Sequence, residues 1–142
     1  MPEYREAIET VRSGSDSGCK LLIGGKSMGG RVASMIADEE FAAGRVAGLV
    51  CLGYPFHPTG KPEQLRTAHL AGLKCPALIV QGERDPFGNR EEVAGYGLSP
   101  AIQRQWIGDG DHDLGPRGAS GFTRKGNLAA AADAIAAFVG AL

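Results

Sequence analysis

Four short apolar runs along the chain predict four β-strands. The runs are CKLLIGG (19–25), VAGLVCLGY (46–54), CPALIVQGE (75–83) and QRQWIGDG (103–110). The first three are apolar at nearly every position, which is typical of parallel strands that are covered on both faces. The fourth alternates, with Arg104 and Trp106 on one face and Gln105 and Ile107 on the other. This alternation indicates a strand near the edge of the sheet.

Apolar residues at helical spacing lie before, between and after these runs. They form three stripes: Tyr4, Ile8 and Val11; Met28, Val32, Met35 and Ile36; and Leu128, Ala132, Ile135, Val139 and Leu142. A shorter helix is predicted within 88–97. Strands that alternate with helices predict one α/β domain over 1–142, with a mainly parallel sheet and right-handed crossovers.

The segment 54–74, YPFHPTGKPEQLRTAHLAGLK, interrupts the alternation. Its three prolines and two glycines predict a long loop that ends in a short helix around 63–71. Long loops in compact domains are often functional. Because this one follows a strand end, we expect Tyr54, Phe56 and His57 to contact a substrate.

Composition excludes several classes of partner. The net charge is −1 and no Lys/Arg cluster appears, so we expect neither nucleic acid nor a membrane as a partner. No apolar stretch approaches the roughly 20 residues of a membrane span, and the N-terminus lacks the apolar core of a signal peptide. These features predict a cytoplasmic protein. Glycine, at 22 of 142 residues, is about twice as frequent as the usual ~7%, which predicts many tight turns.

The three cysteines, Cys19, Cys51 and Cys75, each lie within an apolar run. They are predicted to be buried, reduced thiols. The chain has no CxxC motif and its three histidines are far apart, so neither a metal site nor a cofactor is predicted.

Three reactive side chains follow three of the predicted strands. Ser27 follows the first, Asp85 the third and His112 the fourth. Ligands bind at the carboxyl ends of strands in an open α/β sheet, so we expect these residues to lie close together. Their order along the chain, serine then acid then histidine, is that of hydrolases with a nucleophile elbow.

The residues around Ser27 match the elbow pattern G-x-S-x-G as GKSMG, 25–29. The serine of such an elbow occupies a strained turn, so its neighbours must be small. The helix that follows directs backbone N–H groups, including that of Met28, at an oxyanion. His112 would act as the general base, and Asp85 would hold its other ring nitrogen.

Each of these residues also has a structural interpretation. Ser27 is a good helix N-cap, Asp85 precedes a proline and could begin a turn, and His112 lies in a polar turn, GDGDHD. Glu83 is a second candidate for the acid. The segment around Ser27, GGKSMGG (24–30), could also be interpreted as a phosphate-binding loop of a nucleotide or flavin protein. This interpretation fails because position 20 is Lys where that motif requires Gly.

The segments GGKSMGGRVAS, LVCLGYPFHPTGKPEQLR, PALIVQGERDPFG and GDGDHDL resemble the α/β-hydrolase superfamily. They are most similar to a small bacterial branch of dienelactone-hydrolase-like proteins. The resemblance implies a three-layer α/β sandwich and a serine hydrolase that acts on a small carboxylic ester. It also implies Ser27 as nucleophile, Asp85 as acid, His112 as base and Met28 as an oxyanion donor.

The sequence departs from this family at its N-terminus. Only 18 residues precede CKLLI, and they predict a helix but neither a strand nor the loop that supplies a second oxyanion donor. The chain is therefore expected to correspond to the C-terminal part of the fold, with reduced activity. The strand at 19–25 would then be an apolar edge able to pair with another copy, and a non-catalytic interaction domain is the alternative function.

Overall fold

Helix and strand alternate along the chain as predicted. The computed structural model describes residues 2–14 and 18–142, so part of the predicted connection before the first strand, 15–17, lies outside the described residues. The described elements are α1 (Pro2–Ser13), β1 (Leu22–Lys26), α2 (Met28–Ala42), β2 (Gly48–Leu52), a 3₁₀ turn (Ala68–Leu70), β3 (Ala77–Gly82), α3 (Arg90–Ala94), β4 (Ile102–Ile107) and α4 (Arg124–Gly140). The loop predicted at 54–74 is present, and only its 68–70 turn is helical.

The four described strands form one parallel sheet in the order β1-β2-β3-β4. Each strand therefore pairs with its neighbour in the chain, for example Gly25 with Cys51 and Cys51 with Ile79. β4 lies at an edge, as its alternating pattern predicted. Because all four strands run in the same direction, their carboxyl ends meet at one edge of the sheet.

Helices cover the two faces of the sheet unequally. On one face, α1, α2 and α3 enclose the larger core, to which Ile8, Ile36 and Val93 belong. On the other face, α4 packs Ala131 and Phe138 against the sheet. The result is a three-layer α/β sandwich, as predicted.

The buried faces of α2 and α4 differ from the predicted stripes. In α2, Met28 and Met35 are half exposed, and small residues such as Gly30 and Ala33 are buried instead. A Cβ at Gly30 would lie only 2.7 Å from the Gly25 carbonyl oxygen. Close packing on the sheet, rather than side-chain hydrophobicity, therefore decides which face of α2 is buried.

In α4 the buried face lies one position earlier than predicted. Asn127, Ala131 and Phe138 are buried, whereas Leu128 is half exposed. The Asn127 side chain donates to the carbonyl oxygens of Gly108 and Leu114. This polar anchor rotates α4 away from the orientation that hydrophobicity alone would favour.

Two of the three cysteines are buried, as predicted, and all three are free thiols. Burial raises the pKa of Cys51 to about 12, so this thiol is inert at neutral pH. The prediction for Cys19 was wrong because β1 begins only at Leu22, and Cys19 is exposed before it. Among the helices in the described part of the chain, none has the length and apolar character to cross a membrane.

Candidate active site

Ser27 lies in the turn between β1 and α2 and has a strained backbone, with φ 52° and ψ −120°. A non-glycine residue in such a conformation costs roughly 1–3 kcal/mol. Glycine is required before the serine, since a Cβ at Gly25 would lie 2.7 Å from the backbone of Gly29, whereas a Cβ at Gly29 would meet no atom within 4 Å. The turn is therefore strained at Ser27 and tightly packed at Gly25.

The Ser27 hydroxyl makes no capping hydrogen bond, although Ser27 occupies the N-cap position of α2. Its oxygen instead lies 3.0 Å from Nε2 of His112. The alternative interpretation of Ser27 as a helix cap is therefore wrong. A side chain that leaves the helix end uncapped and meets a histidine is positioned for proton transfer.

Asp85 follows β3 and is fully buried. Its Oδ2 lies 2.8 Å from Nδ1 of His112, and its Oδ1 accepts a hydrogen bond from the Phe87 N–H at 2.8 Å. Burial raises the pKa of Asp85, an effect that the bonds from His112 and Phe87 oppose without reversing. The rival carboxylate, Glu83, is used elsewhere, since it accepts from the Asp109 N–H.

These contacts define the tautomer of His112. The Asp85 carboxylate can only accept, so Nδ1 of His112 carries the hydrogen, and Nε2 is free to accept from the Ser27 hydroxyl. The Phe87 ring packs on the imidazole at 4.5 Å between centroids. The three side chains therefore form an unbroken hydrogen-bonded chain from the buried acid to the partly exposed serine.

The turn that carries His112 is held by its own acidic residues. Asp109, at φ 52°, accepts from the backbone N–H and guanidinium of Arg117. These bonds lower the pKa of Asp109 to about 2. Asp111 Oδ1 accepts from the N–H groups of Asp113 and Gly115, so this carboxylate stabilises the turn from within.

Lys26, beside Ser27, forms an exposed ion pair with Asp113, beside His112. This contact joins the end of β1 to the His112 turn. Exposed pairs typically contribute less than about 1 kcal/mol. Its role is therefore local, linking the two segments that carry Ser27 and His112.

Two glycines that the sequence did not single out make room for the His112 turn. A Cβ at Gly53, which has φ 65°, would lie 3.2 Å from the His112 ring, and a Cβ at Gly82 would lie 2.2 Å from the Asp111 carbonyl oxygen. Both glycines directly follow or end a strand. Their position in the sequence, at the carboxyl ends of β2 and β3, is the signal that could have identified them.

The residues predicted to contact substrate are not at the surface of the site. Tyr54 and Phe56 are fully buried and His57 is 2% exposed. Tyr54 bonds through its backbone N–H to Gln81, and Phe56 packs on Tyr54 with ring centroids 4.8 Å apart. In this structure the start of the loop therefore supports the site from beneath. Met28 is the first residue of α2, directly after Ser27.

A small cleft lies beside His112. Its volume is about 180 Å³, and its lining includes Leu52, Leu114 and Leu128, with Lys26 and Arg124 among the charged side chains. Its walls are thus mainly apolar. The cleft offers space for a small apolar group next to His112.

A family model described as an alpha/beta hydrolase domain matches residues 1–140. The match covers nearly the whole chain and agrees with the parallel three-layer fold and the strained serine turn described above. The chain therefore belongs to the α/β-hydrolase family.

Proposed function

We propose that the protein is a serine hydrolase that acts on a small carboxylic ester or a related acyl substrate. The observation that carries the proposal is the chain of hydrogen bonds Ser27–His112–Asp85, at 3.0 and 2.8 Å. The strained backbone at Ser27 is a second support, because strain of this kind persists where function requires it. Acyl transfer by such a triad needs no cofactor.

In the proposed reaction the Ser27 Oγ attacks the carbonyl carbon of the ester while Nε2 of His112 accepts the hydroxyl proton. The negative charge on the former carbonyl oxygen is stabilised by the Met28 N–H at the start of α2. The intermediate expels the alcohol, which takes the proton from His112. A water molecule then attacks the acyl-enzyme in the same way, releasing the acid and restoring Ser27.

The proposed role of Asp85 is electrostatic. Its carboxylate holds the Nδ1 hydrogen of His112 and stabilises the imidazolium that forms during each attack. Complete burial of Asp85 strengthens this interaction because little water screens it. The cleft of about 180 Å³ beside His112 favours a small substrate.

Hydrolysis of p-nitrophenyl acetate tests this proposal. We expect Ser27→Ala to lose at least about 10³-fold in kcat/KM relative to the wild type. The matched control is Ser34→Ala, since Ser34 also contacts a histidine, at 2.8 Å, but is buried. Its kcat/KM should stay within about twofold of the wild-type value. Equal turnover by wild type and Ser27→Ala would contradict the proposal.

The second candidate function is an interaction domain, favoured by the position of β1 at the edge of the sheet. Alternate residues of β1 direct their backbone N–H and C=O groups toward β2. Leu22 and Gly24 direct theirs the opposite way, toward the edge of the sheet. The Tyr4 hydroxyl occupies this edge: it donates to the Gly24 carbonyl at 3.0 Å and accepts from the Gly24 N–H at 3.2 Å. An apolar groove of about 280 Å³ lies between α1 and β1.

We propose a second copy of the chain as the occupant of this edge. In an antiparallel pairing centred on Leu22, the two Leu22 side chains would meet, and Lys20 of each copy would lie opposite Gly24 of the other. The two Lys20 side chains would therefore not face each other. Pairing requires Tyr4 to release Gly24. We therefore expect Tyr4→Phe to lower the dimer dissociation constant at least about tenfold in light scattering, with Tyr96→Phe as control. A folded Tyr4→Phe variant that stays as monomeric as the wild type would contradict self-pairing.

A further inference from the structure

His57 is a buried histidine that the proposed reaction does not use. It is 2% exposed and lies between the loop after β2 and the start of α3. Its Nδ1 is 2.8 Å from the Pro58 carbonyl oxygen, and its Nε2 is 3.1 Å from Oε2 of Glu92. Both ring nitrogens therefore face oxygen atoms.

The two partners restrict where the protons can lie. A carbonyl oxygen only accepts, so Nδ1 carries a hydrogen. If Glu92 is ionised it also only accepts, and Nε2 then carries a second hydrogen, which makes the ring an imidazolium. The alternative is a neutral ring and a protonated Glu92. That state is disfavoured because the other carboxylate oxygen of Glu92 accepts from the Asn89 N–H at 3.0 Å in the capping box of α3.

The charges around His57 favour the same state. Burial lowers the pKa of His57, but the Pro58 carbonyl, Glu92 and Asp85 outweigh it, so the pKa is raised. Burial raises the pKa of Glu92, but the Asn89 N–H and His57 outweigh it, so the pKa is lowered. The carboxylates that act on the ring are Glu92, from α3, and Asp85, from the turn after β3.

His57 is connected to the active site through the turn that carries Asp85. Its backbone N–H donates to the Phe87 carbonyl at 3.1 Å. The Phe87 N–H in turn donates to Asp85, and the Phe87 ring packs on His112. The backbone of His57 thus holds the middle of the 85–89 turn, while its side chain holds Glu92, just beyond it.

We propose that His57 is a positioning residue that is charged at neutral pH: its imidazolium ties the loop after β2 to Glu92 and thereby fixes the 85–89 turn that presents Asp85 and Phe87 to His112. The catalytic part of this statement rests on the proposed function; the charge state does not. The proposal gives the buried start of the 54–74 loop a role in the reaction without substrate contact.

The proposal makes a signed prediction about pH. Because the pKa of His57 is raised above its ordinary value of about 6.5, its contribution to stability is complete below about 6.5 and is lost as pH rises through the raised value. The difference in melting temperature between the wild type and His57→Gln should therefore shrink as the pH rises above neutral. His69 serves as control, since its pKa is lowered, chiefly by burial.

Nitrogen-15 NMR of the three histidine side chains tests the charge directly, with His57→Gln and His69→Gln used for assignment. At pH 7 we expect both ring nitrogens of His57 to be protonated, with a midpoint above that of a free histidine, whereas His69 should titrate below it. A neutral His57 ring at pH 7 would overturn the proposal, whatever the enzyme does.

The positioning role has two readouts. In His57→Gln the Nδ1 hydrogen of His112 should exchange with solvent at least about tenfold faster than in the wild type. The same variant should lose about tenfold in kcat, while its KM stays within twofold of the wild-type value. His69→Gln should change neither the exchange rate nor kcat. Glu92→Gln, which keeps the capping box, should reproduce these effects, and the double variant should be no worse than either single one. Unchanged exchange in His57→Gln would overturn the role even if the chain had no Ser27-dependent turnover.

Discussion

The described part of the molecule contains two serine–histidine pairs with nearly equal distances and different hydrogen-bond patterns. Ser27 lies 3.0 Å from His112, and Ser34 lies 2.8 Å from His69. The second pair is the closer one. Distance therefore does not distinguish the proposed catalytic pair from the other.

The two pairs differ in where their protons lie. Ser34 donates its hydrogen to the Arg31 carbonyl at 2.6 Å, and the other hydroxyl near His69, that of Tyr54, donates to the Arg66 carbonyl at 2.9 Å. Nε2 of His69 must therefore be the donor in this cluster and cannot accept a proton. Nε2 of His112 has the opposite role, because its Nδ1 hydrogen is held by Asp85.

The surroundings of the pairs reinforce this difference. Ser34 is buried within α2 and has ordinary helical backbone, whereas Ser27 is partly exposed on a strained turn. His69 has a guanidinium nearby: burial and Arg31 both lower its pKa. Of the two contacts, only Ser27–His112 combines an orienting carboxylate, the matching tautomer and a partly exposed serine, which is why the proposed function uses this pair.

The largest expected contrast is between the two histidines. His112→Gln should lower kcat/KM for p-nitrophenyl acetate at least about 10³-fold, because the general base is lost. His69→Gln should stay within about twofold, since His69 only donates. Steady-state kinetics of both purified variants, checked for folding by circular dichroism, measure the contrast. Equal losses in the two variants would remove the distinction.

A smaller contrast is expected between two aspartates that accept hydrogen bonds from backbone N–H groups. Asp85→Asn should lower kcat about 10²–10⁴-fold, because an amide favours the wrong tautomer of His112. Asp38→Asn keeps an acceptor for the N–H groups of Lys74 and Cys75, so kcat should be unchanged. Because burial disfavours the charged form of Asp85, Asp85→Asn should melt no lower than the wild type at pH 7. A variant that lost stability but kept kcat would contradict this assignment.

The smallest effect tests the space behind the His112 ring. Gly53→Ala places a Cβ against the His112 ring at a positive φ, so we expect a loss of about 1–3 kcal/mol in the free energy of unfolding and a lower kcat. Gly72→Ala is the control, since Gly72 has open space around its Cα. Urea unfolding measures both variants. A Gly53→Ala variant as stable and active as Gly72→Ala would show that the close approach is unimportant.

Much of the fold and the site could be predicted from the sequence because both depend on local patterns. Apolar runs gave the strands, and the positions of Ser27, Asp85 and His112 after strand ends predicted their meeting at one edge. The buried faces of α2 and α4 could not be predicted, because Gly30 and Asn127 are buried for reasons of close approach and hydrogen bonding. The periodicity of hydrophobic residues reveals neither a close backbone approach nor a side-chain hydrogen bond.

The start of the 54–74 loop shows a second limit of the sequence. Tyr54, Phe56 and His57 follow a strand end, as the reactive residues do, yet the chain turns them inward. That direction depends on partners distant in the chain, such as Gln81 for Tyr54 and Glu92 for His57. A rule based on strand ends alone cannot separate a residue that faces solvent from one that supports the site.

The most direct test of the central claim compares the labelling of Ser27 and Ser34 within one protein. A fluorophosphonate forms a phosphorus–oxygen bond with an activated serine and releases fluoride. Peptide mapping of the labelled wild-type protein should place the adduct on Ser27, with none on Ser34, and labelling should disappear in Ser27→Ala. An adduct on Ser34, or equal labelling of wild type and Ser27→Ala, would contradict the account.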